Sequence, residues 1–459
     1  MQPFDQNLPC QNDTLQTEFF PSSIISLPEV KGKKVNLDFL GGSISSDAGA
    51  LILSEVDDQT GIIQKLSECI SDNRRAYSVK HSLFDQLKQR ILQICCGYED
   101  ANDSNTLRKD PILKMAVDRL PADDDDLASQ PTLSRTENMV TGKELIKIAR
   151  MFVEYFVSSF AKPPKVAILD FDDTNDTVHG KQQLAMFNAY YNEYCFQPMH
   201  VYEGITGKLI TTILRPGHRP DGKEVVAYLK RIVKLIRNHW PDTILVFRGD
   251  GHYSSPDVFT FIAGQEKMYS VVGLTTNNIL KNSVIPVVDQ VRDMDAGTKR
   301  YHSFIYQAGS WSGSRRVVSK VEMTDIGLNI RFISTDMDQA KAKVLYEQIY
   351  CARGNDELYI KDHKTYTKSD RTSCHRFAAN QFRLFLHSAA YVLLHTLRSD
   401  LLRGSCLHNA TFDSIRLKLL KVGARVIEMK TKIKVHLPTA YPYQYEYSKC
   451  MNILEKLRE

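Results

Sequence analysis

The order of apolar and polar positions divides the chain into a helical first third and a longer region in which strands alternate with helices. In the first third, apolar residues recur every three or four positions, which predicts amphipathic helices. The helix expected over residues 82–96 has an apolar face made of Leu83, Leu87, Ile91 and Ile94. After residue 150, buried strands and helices alternate, which is the pattern of an α/β protein. Residues 275–330 are predicted to form a β-rich insertion.

Two of the predicted strands end in carboxylates. Residues 165–174 read KVAILDFDDT, and Asp170 and Asp172 point to one face because side chains alternate along a strand. Residues 243–250 read TILVFRGD and place Asp250 at the end of another strand. A single aspartate at a strand end is more commonly a cap or turn residue, but two of them favour an active-site edge. Two carboxylates in a dry pocket also imply a divalent cation or solvent.

A polar stripe is predicted on the segment 346–364, which reads YEQIYCARGNDELYIKDHK. If the segment is helical, four side chains fall within roughly 60° of one another. They are Tyr350, Arg353, Glu357 and Lys364. A stripe with a phenol, a guanidinium, a carboxylate and an ammonium is either a solvated surface or one wall of a site that handles phosphate. The two strand-end aspartates favour the second interpretation.

Two helix starts are predicted in the first third from their capping residues. Residues 45–47 read SSD and are expected to cap a helix through Ala50. Residues 129–135 read SQPTLSR, with Ser129 as the expected N-cap and a proline in the first turn. From this second start Thr132, Ser134 and Arg135 project, as DNA-contacting residues do in helix-turn-helix modules. The alternative is a capped helix in an ordinary bundle.

Trp311, one of two tryptophans in the chain, lies on a Gly/Ser-rich loop beside Arg315 and Arg316. An aromatic ring next to arginines is a candidate for stacking on a nucleic-acid base. A buried core tryptophan explains the same position equally well.

Composition and charge favour a nucleic-acid partner. Of the 459 residues, 42% are apolar, which is enough for a sizeable core. The formal net charge is +5, and residues 401–459 contain 11 Lys and Arg against 5 Asp and Glu. A basic terminal segment is typical of nucleic-acid contact, although a solvated surface explains it nearly as often.

Cysteine usage and hydropathy indicate the compartment. The nine cysteines show no CxxC spacing, which argues against disulfides and a cysteine zinc site and indicates reduced thiols in a cytoplasm. No apolar run approaches about 18 residues, and the first residues lack the pattern of a signal peptide. Neither a membrane span nor secretion is therefore expected.

These motifs together resemble the bacterial insertion-sequence transposases of the DDE superfamily, in the subgroup with a Tyr-x2-Arg-x3-Glu-x6-Lys signature. The chain has Tyr350-x2-Arg353-x3-Glu357-x6-Lys364, with every spacing intact. Further stretches are similar to landmarks of that family in the same order. They are SSDAGALIL (45–53), GYEDANDSNTLRKDP (97–111), SQPTLSR (129–135), DFDDT with HGKQ (179–182), LRPG (214–217) and FRGDG (247–251).

The resemblance implies an α/β fold, in which an RNase H-like mixed sheet is flanked by helices and interrupted by a β-rich insertion, with a helical N-terminal DNA-binding region. The implied organisation is a flexible arm (1–34), a helical DNA-binding domain (35–150), the first part of the core (151–274), the insertion (275–330), the second part of the core with the catalytic Glu helix (331–400) and a basic C-terminal segment (401–459).

The resemblance also implies cut-and-paste transposition of double-stranded DNA. Asp172, Asp250 and Glu357 would hold two Mg²⁺ ions, for which Mn²⁺ can substitute. Hydrolysis would free a 3′-hydroxyl at the element's terminal inverted repeat. That hydroxyl would form a hairpin with the opposite strand and, after reopening, attack target DNA. The expected setting is a DNA-bound dimer in a bacterial, nucleoid-associated cytoplasmic location.

Further residue roles follow from the same resemblance. Tyr350, Arg353 and Lys364 would hold phosphate oxygens, and Trp311 is the candidate for stabilising a flipped base. The first motif contains three aspartates, at 170, 172 and 173. We expect Asp172 to be the metal ligand because the family pattern places it two residues before Thr174, with Asp170 as second choice.

Two alternative functions are compatible with parts of the sequence. VAILDFDDTND resembles the nucleophile strand of haloacid-dehalogenase-like phosphatases, in which Asp170 would be the nucleophile and Asp172 the acid/base. That class needs a later acidic motif, and the seven-residue spacing of Asp250 and Asp257 does not match it. The other alternative is a DNA-binding protein without catalytic activity.

Overall fold

The computed structural model describes residues 24–458, except residues 76 and 78. The strands are β1 (Ile25–Val30), β2 (Lys33–Leu37), β3 (Ile44–Ser45), β4 (Val166–Asp173), β5 (Asp176–Thr177), β6 (Met186–Asn188), β7 (Glu193–Phe196), β8 (Met199–Glu203), β9 (Leu209–Ile213), β10 (Ile244–Gly249), β11 (Met268–Leu274), β12 (Lys299–Tyr306), β13 (Arg315–Thr324), β14 (Gly327–Thr335), β15 (Ala424–Met429) and β16 (Lys432–His436).

The helices are α1 (Ala50–Thr60), α2 (Ile62–Glu68), α3 (Leu83–Cys95), α4 (Ser104–Leu107), α5 (Pro111–Ala116), α6 (Gln130–Met139), α7 (Gly142–Ser158), α8 (Gly222–His239), α9 (Pro256–Ala263), α10 (Asn278–Asn282), α11 (Ile285–Val291), α12 (Ala342–Val344), α13 (Gly354–Ile360), α14 (Phe377–Thr396), α15 (Phe412–Ile415) and α16 (Gln444–Arg458). Four segments are π-helical: Leu345–Tyr350, Lys361–Tyr366, Leu397–Leu401 and Arg416–Leu420.

An eight-stranded mixed sheet forms the centre of the molecule, in the order β12-β13-β14-β11-β10-β4-β8-β9. Strands β4, β10 and β11 are parallel to one another, and the strands on either side of them are antiparallel. The predicted fold class, a mixed sheet flanked by helices, is confirmed. The insertion 275–330 does not form a separate β unit, because its strands pair through β14 with β11 and lengthen the central sheet.

Helices cover both faces of this sheet. On one face, apolar side chains of β4, β8, β10 and β11 pack against α7, α8 and α9. The other face meets the segment 345–366 and α14, which packs against β9 and α3. Helix α14 is buried along nearly its whole length, so it serves as the centre of a second core.

This second core joins parts of the chain that are far apart in sequence. It contains apolar residues of α1, α2, α3, α5 and α7 together with residues of α14, α15, β15 and α16. The helices of residues 35–150 therefore share their core with the C-terminal third. The basic segment 401–459 folds into this core as well, with Leu419, Val426 and Leu454 buried in it.

Residues 1–23 of the predicted arm lie outside the described residues, and residues 25–37 form the exposed hairpin β1–β2. The SSD cap predicted at 45–47 is wrong. The N-cap of α1 is Gly49, and the buried Asp47 carboxylate instead lies 2.7 Å from the Lys421 Nζ and accepts a hydrogen bond from Tyr98.

The helix predicted over residues 82–96 is confirmed. Helix α3 begins after Ser82, whose side chain accepts a hydrogen bond from the Asp85 backbone, and Gly97 follows its end with a φ of 93°. No helix in the described part of the chain is long and apolar enough to cross a membrane. The eight cysteines within the described range are free thiols, whereas Cys10 lies outside it.

Candidate active site

Two parallel strands bring Asp172 and Asp250 to the same edge of the central sheet. Strand β4 pairs with β10, with Asp170 opposite Arg248 and Phe171 opposite Gly249. The next position on each strand is occupied by Asp172 and Asp250. The two carboxylates lie close enough for their charges to interact, and the charge of Asp250 adds to the burial that raises the pKa of Asp172. The sequence prediction of a carboxylate pair at the carboxyl ends of two strands therefore matches the register of the sheet.

Asp170 is held by a buried arginine. Both of its carboxylate oxygens accept hydrogen bonds from the Arg248 guanidinium, and both side chains are 0% exposed. Arg248 also donates from Nη1 to the carbonyl of Ile349 at 2.5 Å. A carboxylate that is paired and closed to solvent cannot act as a nucleophile on an incoming substrate. This observation opposes the phosphatase alternative, in which Asp170 would be the nucleophile.

Asp172 is more accessible than Asp170. The Arg353 Nη2 lies 2.8 Å from its Oδ2, and its side chain is 14% exposed. Its pKa is raised to about 7, chiefly because burial disfavours the charged form; Arg353 opposes this shift, and the charges of Asp173 and Asp250 add to it. Because the pKa of Asp172 stays raised even beside Arg353, a further cation near this carboxylate would stabilise its charged form.

Asp173 and Asp250 complete the acidic edge. Asp173 accepts a hydrogen bond from the buried Tyr253 hydroxyl at 3.1 Å, and burial raises its pKa. Asp250 accepts a hydrogen bond from the His252 backbone at 2.8 Å, and the His252 Nδ1 lies 3.5 Å from its Oδ2. The Asp250 side chain caps the short turn Gly251–Tyr253, which fixes the direction of this carboxylate.

The segment after β14 is not the single α-helix that the sequence predicts. It runs from the π-helical Leu345–Tyr350 through a 3-10 turn at Cys351–Arg353 into α13, and then into the π-helical Lys361–Tyr366. A π-turn is wider than an α-turn and a 3-10 turn is tighter, so residues lose the regular 100° spacing. The predicted stripe is consequently divided among several directions.

Two of the four signature residues face the acidic edge. Arg353 interacts with the charges of both Asp172 and Asp250. Tyr350 is half-buried, and its hydroxyl lies so close to Gly273 that a Cβ atom on that glycine would be 2.6 Å away. Gly273 on β11 therefore allows the Tyr350 side chain to approach the sheet beside Asp250.

Lys364 holds the loop that follows β4. Its Nζ donates to the Thr174 Oγ1 at 3.0 Å and to the Asn175 carbonyl, and lies 3.8 Å from the Asp176 Oδ1. These contacts tie the second π-helical segment to the end of the strand that carries Asp172. Lys364 thus positions this loop, with a charge at the rim of the acidic edge.

Glu357 and Asp356 occupy unexpected positions on α13. The Glu357 side chain is exposed and makes no hydrogen bond or ion pair with any described residue. The neighbouring Asp356 is 0% exposed, and neither of its oxygens has a hydrogen-bond partner. Burial raises the pKa of Asp356 well above its usual range, and the charges of Asp170 and Asp172 add to the effect. Sequence reasoning missed Asp356, because only the irregular turns around α13 direct it inward.

The acidic residues at this edge of the sheet are not arranged as a complete metal site. Within the described ranges, no group of three or more His, Cys, Asp or Glu side chains is arranged to hold a metal ion. The donor set nevertheless fits a hard divalent cation, because carboxylate oxygens are its preferred ligands and the carboxylates of Asp172, Asp173 and Asp250 lie close enough for their charges to interact.

Comparison with known proteins agrees with this geometry. A family model described as the transposase DDE domain, group 1, matches residues 27–459. The chain belongs to this family. It is a DDE transposase, an enzyme that acts on DNA, and enzymes of this type generally use divalent metal ions.

Curated proteins and solved structures add little to this assignment of the transposase. No match was found among curated proteins. Among solved structures, it is similar to a piggyBac transposase synaptic complex with hairpin DNA, determined by cryo-EM, with 13% sequence identity and a TM-score of 0.41. The likeness covers 82% of this chain and 80% of that chain. At this identity and TM-score, it establishes neither a site residue nor a substrate.

Trp311 of the transposase is half-buried against other aromatic rings. Its ring meets Phe259 and Tyr306 edge-on, with centroid distances of 5.2 and 5.5 Å. A cavity of about 130 Å³ lies beside it, and the Arg315 guanidinium sits 4.1 Å from the centre of the Phe259 ring. Base stacking by Trp311 stays a prediction.

The three candidate DNA-contacting residues near the N-terminus of α6 do not share one surface. Helix α6 begins at Gln130 after Ser129, as predicted. Thr132 and Arg135 line a surface groove, and Arg135 donates to the Thr132 Oγ1 at 3.2 Å. Ser134 is half-buried outside the groove lining, and its carbonyl accepts a hydrogen bond from the Asn138 side chain.

Proposed function

We propose that this transposase binds the terminal inverted repeats of a bacterial insertion sequence, cleaves phosphodiester bonds at its ends and joins the 3′-hydroxyl ends to target DNA. The observation that supports this most directly is the meeting of Asp172 and Asp250 at the ends of parallel strands, with Arg353 beside them. Such an acidic edge is where a DDE family member is expected to carry out its chemistry.

The proposed metal ligands are Asp172, Asp250 and Glu357, with two Mg²⁺ ions that Mn²⁺ can replace. When bound, such ions activate the attacking oxygen and stabilise the leaving oxygen of a phosphodiester. The raised pKa of Asp172 supports this assignment, because a bound cation would stabilise its charged form. Glu357 lies one turn after Arg353, which contacts Asp172. The Glu357 carboxylate is exposed and is therefore free to bind a cation.

The other signature residues would act on the DNA backbone. Arg353 has a planar fork that matches two phosphate oxygens, and Tyr350 beside it offers a hydroxyl donor. Lys364 would add a point charge while it holds the loop after β4 in place. Trp311 would stack on a base displaced by a hairpin intermediate. Synapsis of two element ends makes a DNA-bound dimer the proposed assembly, with a cytoplasmic, nucleoid-associated location.

A nicking assay tests the proposal. The wild-type chain should cut DNA that carries the cognate terminal repeats only when Mg²⁺ or Mn²⁺ is present. Asp172→Asn and Asp250→Asn should each lower the rate by at least about 100-fold, because each removes a metal ligand. A chain that binds these repeats but never cuts them would be a DNA-binding protein without catalytic activity.

The neighbouring acids of α13 provide a matched pair of variants. If Glu357 is the third ligand, Glu357→Gln should abolish cutting, whereas Asp356→Asn should retain at least about a tenth of the wild-type rate. Mn²⁺ binding, followed by electron paramagnetic resonance, gives a readout that is independent of turnover. If Glu357→Gln cuts as fast as the wild-type chain, the assignment of Glu357 fails.

A further inference from the structure

A groove with a volume of about 860 Å³ lies beside the N-terminal half of α6. Its walls carry four cationic side chains from separate parts of the chain. They are Arg74, Lys80, Arg108 and Arg135. Helix α6 contributes Thr132, Arg135, Thr136 and Met139 to the lining. The groove is separate from the acidic edge of the central sheet, and cations on several of its walls suit an anionic partner.

An acidic run of the same chain, residues 123–126, occupies one side of this groove. Asp125 lies 3.2 Å from the Lys80 Nζ, and Asp126 lies 3.4 Å from the Arg108 Nε. The side chains of the first pair are 59% and 68% exposed. Ion pairs this exposed contribute little to stability, so another anion can replace the aspartates at small cost.

Two arginine side chains in the groove are held weakly by their neighbours. The Arg108 Nε is buried and makes no hydrogen bond, and the Asp126 carboxylate with which it forms an ion pair is 3.4 Å away. Arg135 is exposed and makes no ion pair with any residue in the described part of the chain, and it donates only to its own helix at Thr132. Both guanidinium groups retain capacity to bind phosphate oxygens.

The wall formed by α6 is rigid. Its opposite face is locked by Glu137, which lies 3.2 Å from the Arg90 Nε and 3.9 Å from the Arg383 Nε. Thr136 donates to Gln86 of α3 at 2.5 Å. These buried contacts hold α6 against α3 and α14, so Arg135 is presented from a fixed support.

We propose that this groove binds the phosphate backbone of duplex DNA, and that the acidic run 123–126 competes with DNA for the same cations. The inference rests on the proposed function, since it identifies where the transposase would hold DNA away from the acidic edge. The acidic run would therefore lower the affinity for duplex DNA of any sequence, because every duplex must first displace the aspartates.

The test is a titration of the full chain with random-sequence duplex DNA, followed by fluorescence anisotropy in the presence of EDTA. The double variant Asp125→Asn/Asp126→Asn keeps side-chain size and removes both competing charges. It should bind about threefold to tenfold more tightly at about 0.1 M salt. Arg135→Gln should bind at least about threefold more weakly and reduce the salt slope by about one.

A second double variant controls for total charge. Asp242 and Asp289 are exposed and pair with Lys267 and Arg292 at 2.6 and 3.7 Å, outside the groove lining. Asp242→Asn/Asp289→Asn changes the net charge by the same amount and should leave the affinity within about twofold. Equal tightening by both double variants, or no tightening by the first, would overturn the inference.

The outcomes also separate the two proposals. An unchanged affinity of Arg135→Gln, with an unchanged circular dichroism spectrum and melting curve, would refute the groove as a DNA site. If the affinities change as expected but the wild-type chain never nicks terminal-repeat DNA, the proposed function fails and the groove assignment stands. If nicking occurs and the affinities do not respond, only the groove assignment fails.

Discussion

The buried pair Asp170–Arg248 offers a direct test of how the sheet supports the acidic edge. Both side chains are fully buried, and Arg248 also binds the Ile349 carbonyl in the π-helical segment before Arg353. Arg248→Met would leave the Asp170 carboxylate in the core without its main partner. Removing one partner of a buried ion pair costs about 3–5 kcal/mol, so we expect a loss of this size in the free energy of unfolding.

The measurement is urea-induced unfolding followed by circular dichroism. Arg231→Met is a suitable control, because Arg231 is exposed on α8 and donates only to the Ala227 carbonyl, so its loss should cost at most about 0.5 kcal/mol. The double variant Arg248→Met/Asp170→Asn should recover at least about 2 kcal/mol relative to the sum of the single variants, because no unpaired charge remains. A loss below about 1 kcal/mol for Arg248→Met would refute the reasoning.

Three further predictions concern pH, packing and the aromatic loop. Burial raises the pKa of Asp57 to about 6, so the folded chain keeps a proton that the unfolded chain releases near pH 4. Asp57 should therefore contribute a loss of stability of up to about 3 kcal/mol between pH 4 and 6, and the loss measured in thermal melts of Asp57→Asn should be smaller than in the wild-type chain by that amount. Gly204→Ala should destabilise the fold by about 1–3 kcal/mol in urea, because its Cβ would lie 2.4 Å from the Asp170 Oδ2. Trp311→Ala should lower the yield of hairpin DNA in a cleavage assay, and an unchanged yield would remove the base-stacking role.

Part of the candidate site could be predicted because it depends on local regularities. Side-chain alternation along β4 and the placement of strand ends at one sheet edge were sufficient to pair Asp172 with Asp250. The helix start at Ser129 followed from capping preferences in the same way. Such regularities act over a few residues and need no knowledge of distant contacts.

The positions of Glu357 and Asp356 depended on more than local pattern. A regular α-helix would place Tyr350, Arg353 and Glu357 on one stripe, but the π-helical and 3-10 turns rotate Asp356 inward and leave Glu357 exposed. The hydrogen bond from Arg248 to the Ile349 carbonyl is one tertiary contact that holds this irregular backbone. Sequence periodicity contains no information about such a contact.

By itself, then, the sequence determined the α/β class, the family signature and the two carboxylates at the strand ends, because each follows from spacing along a short stretch of chain. Only the tertiary structure decided that Asp170 pairs with Arg248, that strands β12–β14 extend the central sheet, and that the N-terminal helices share a core with α14. These features join residues tens to hundreds of positions apart. They depend on which buried charges become paired and which apolar faces become buried, and this is determined only when the whole chain packs.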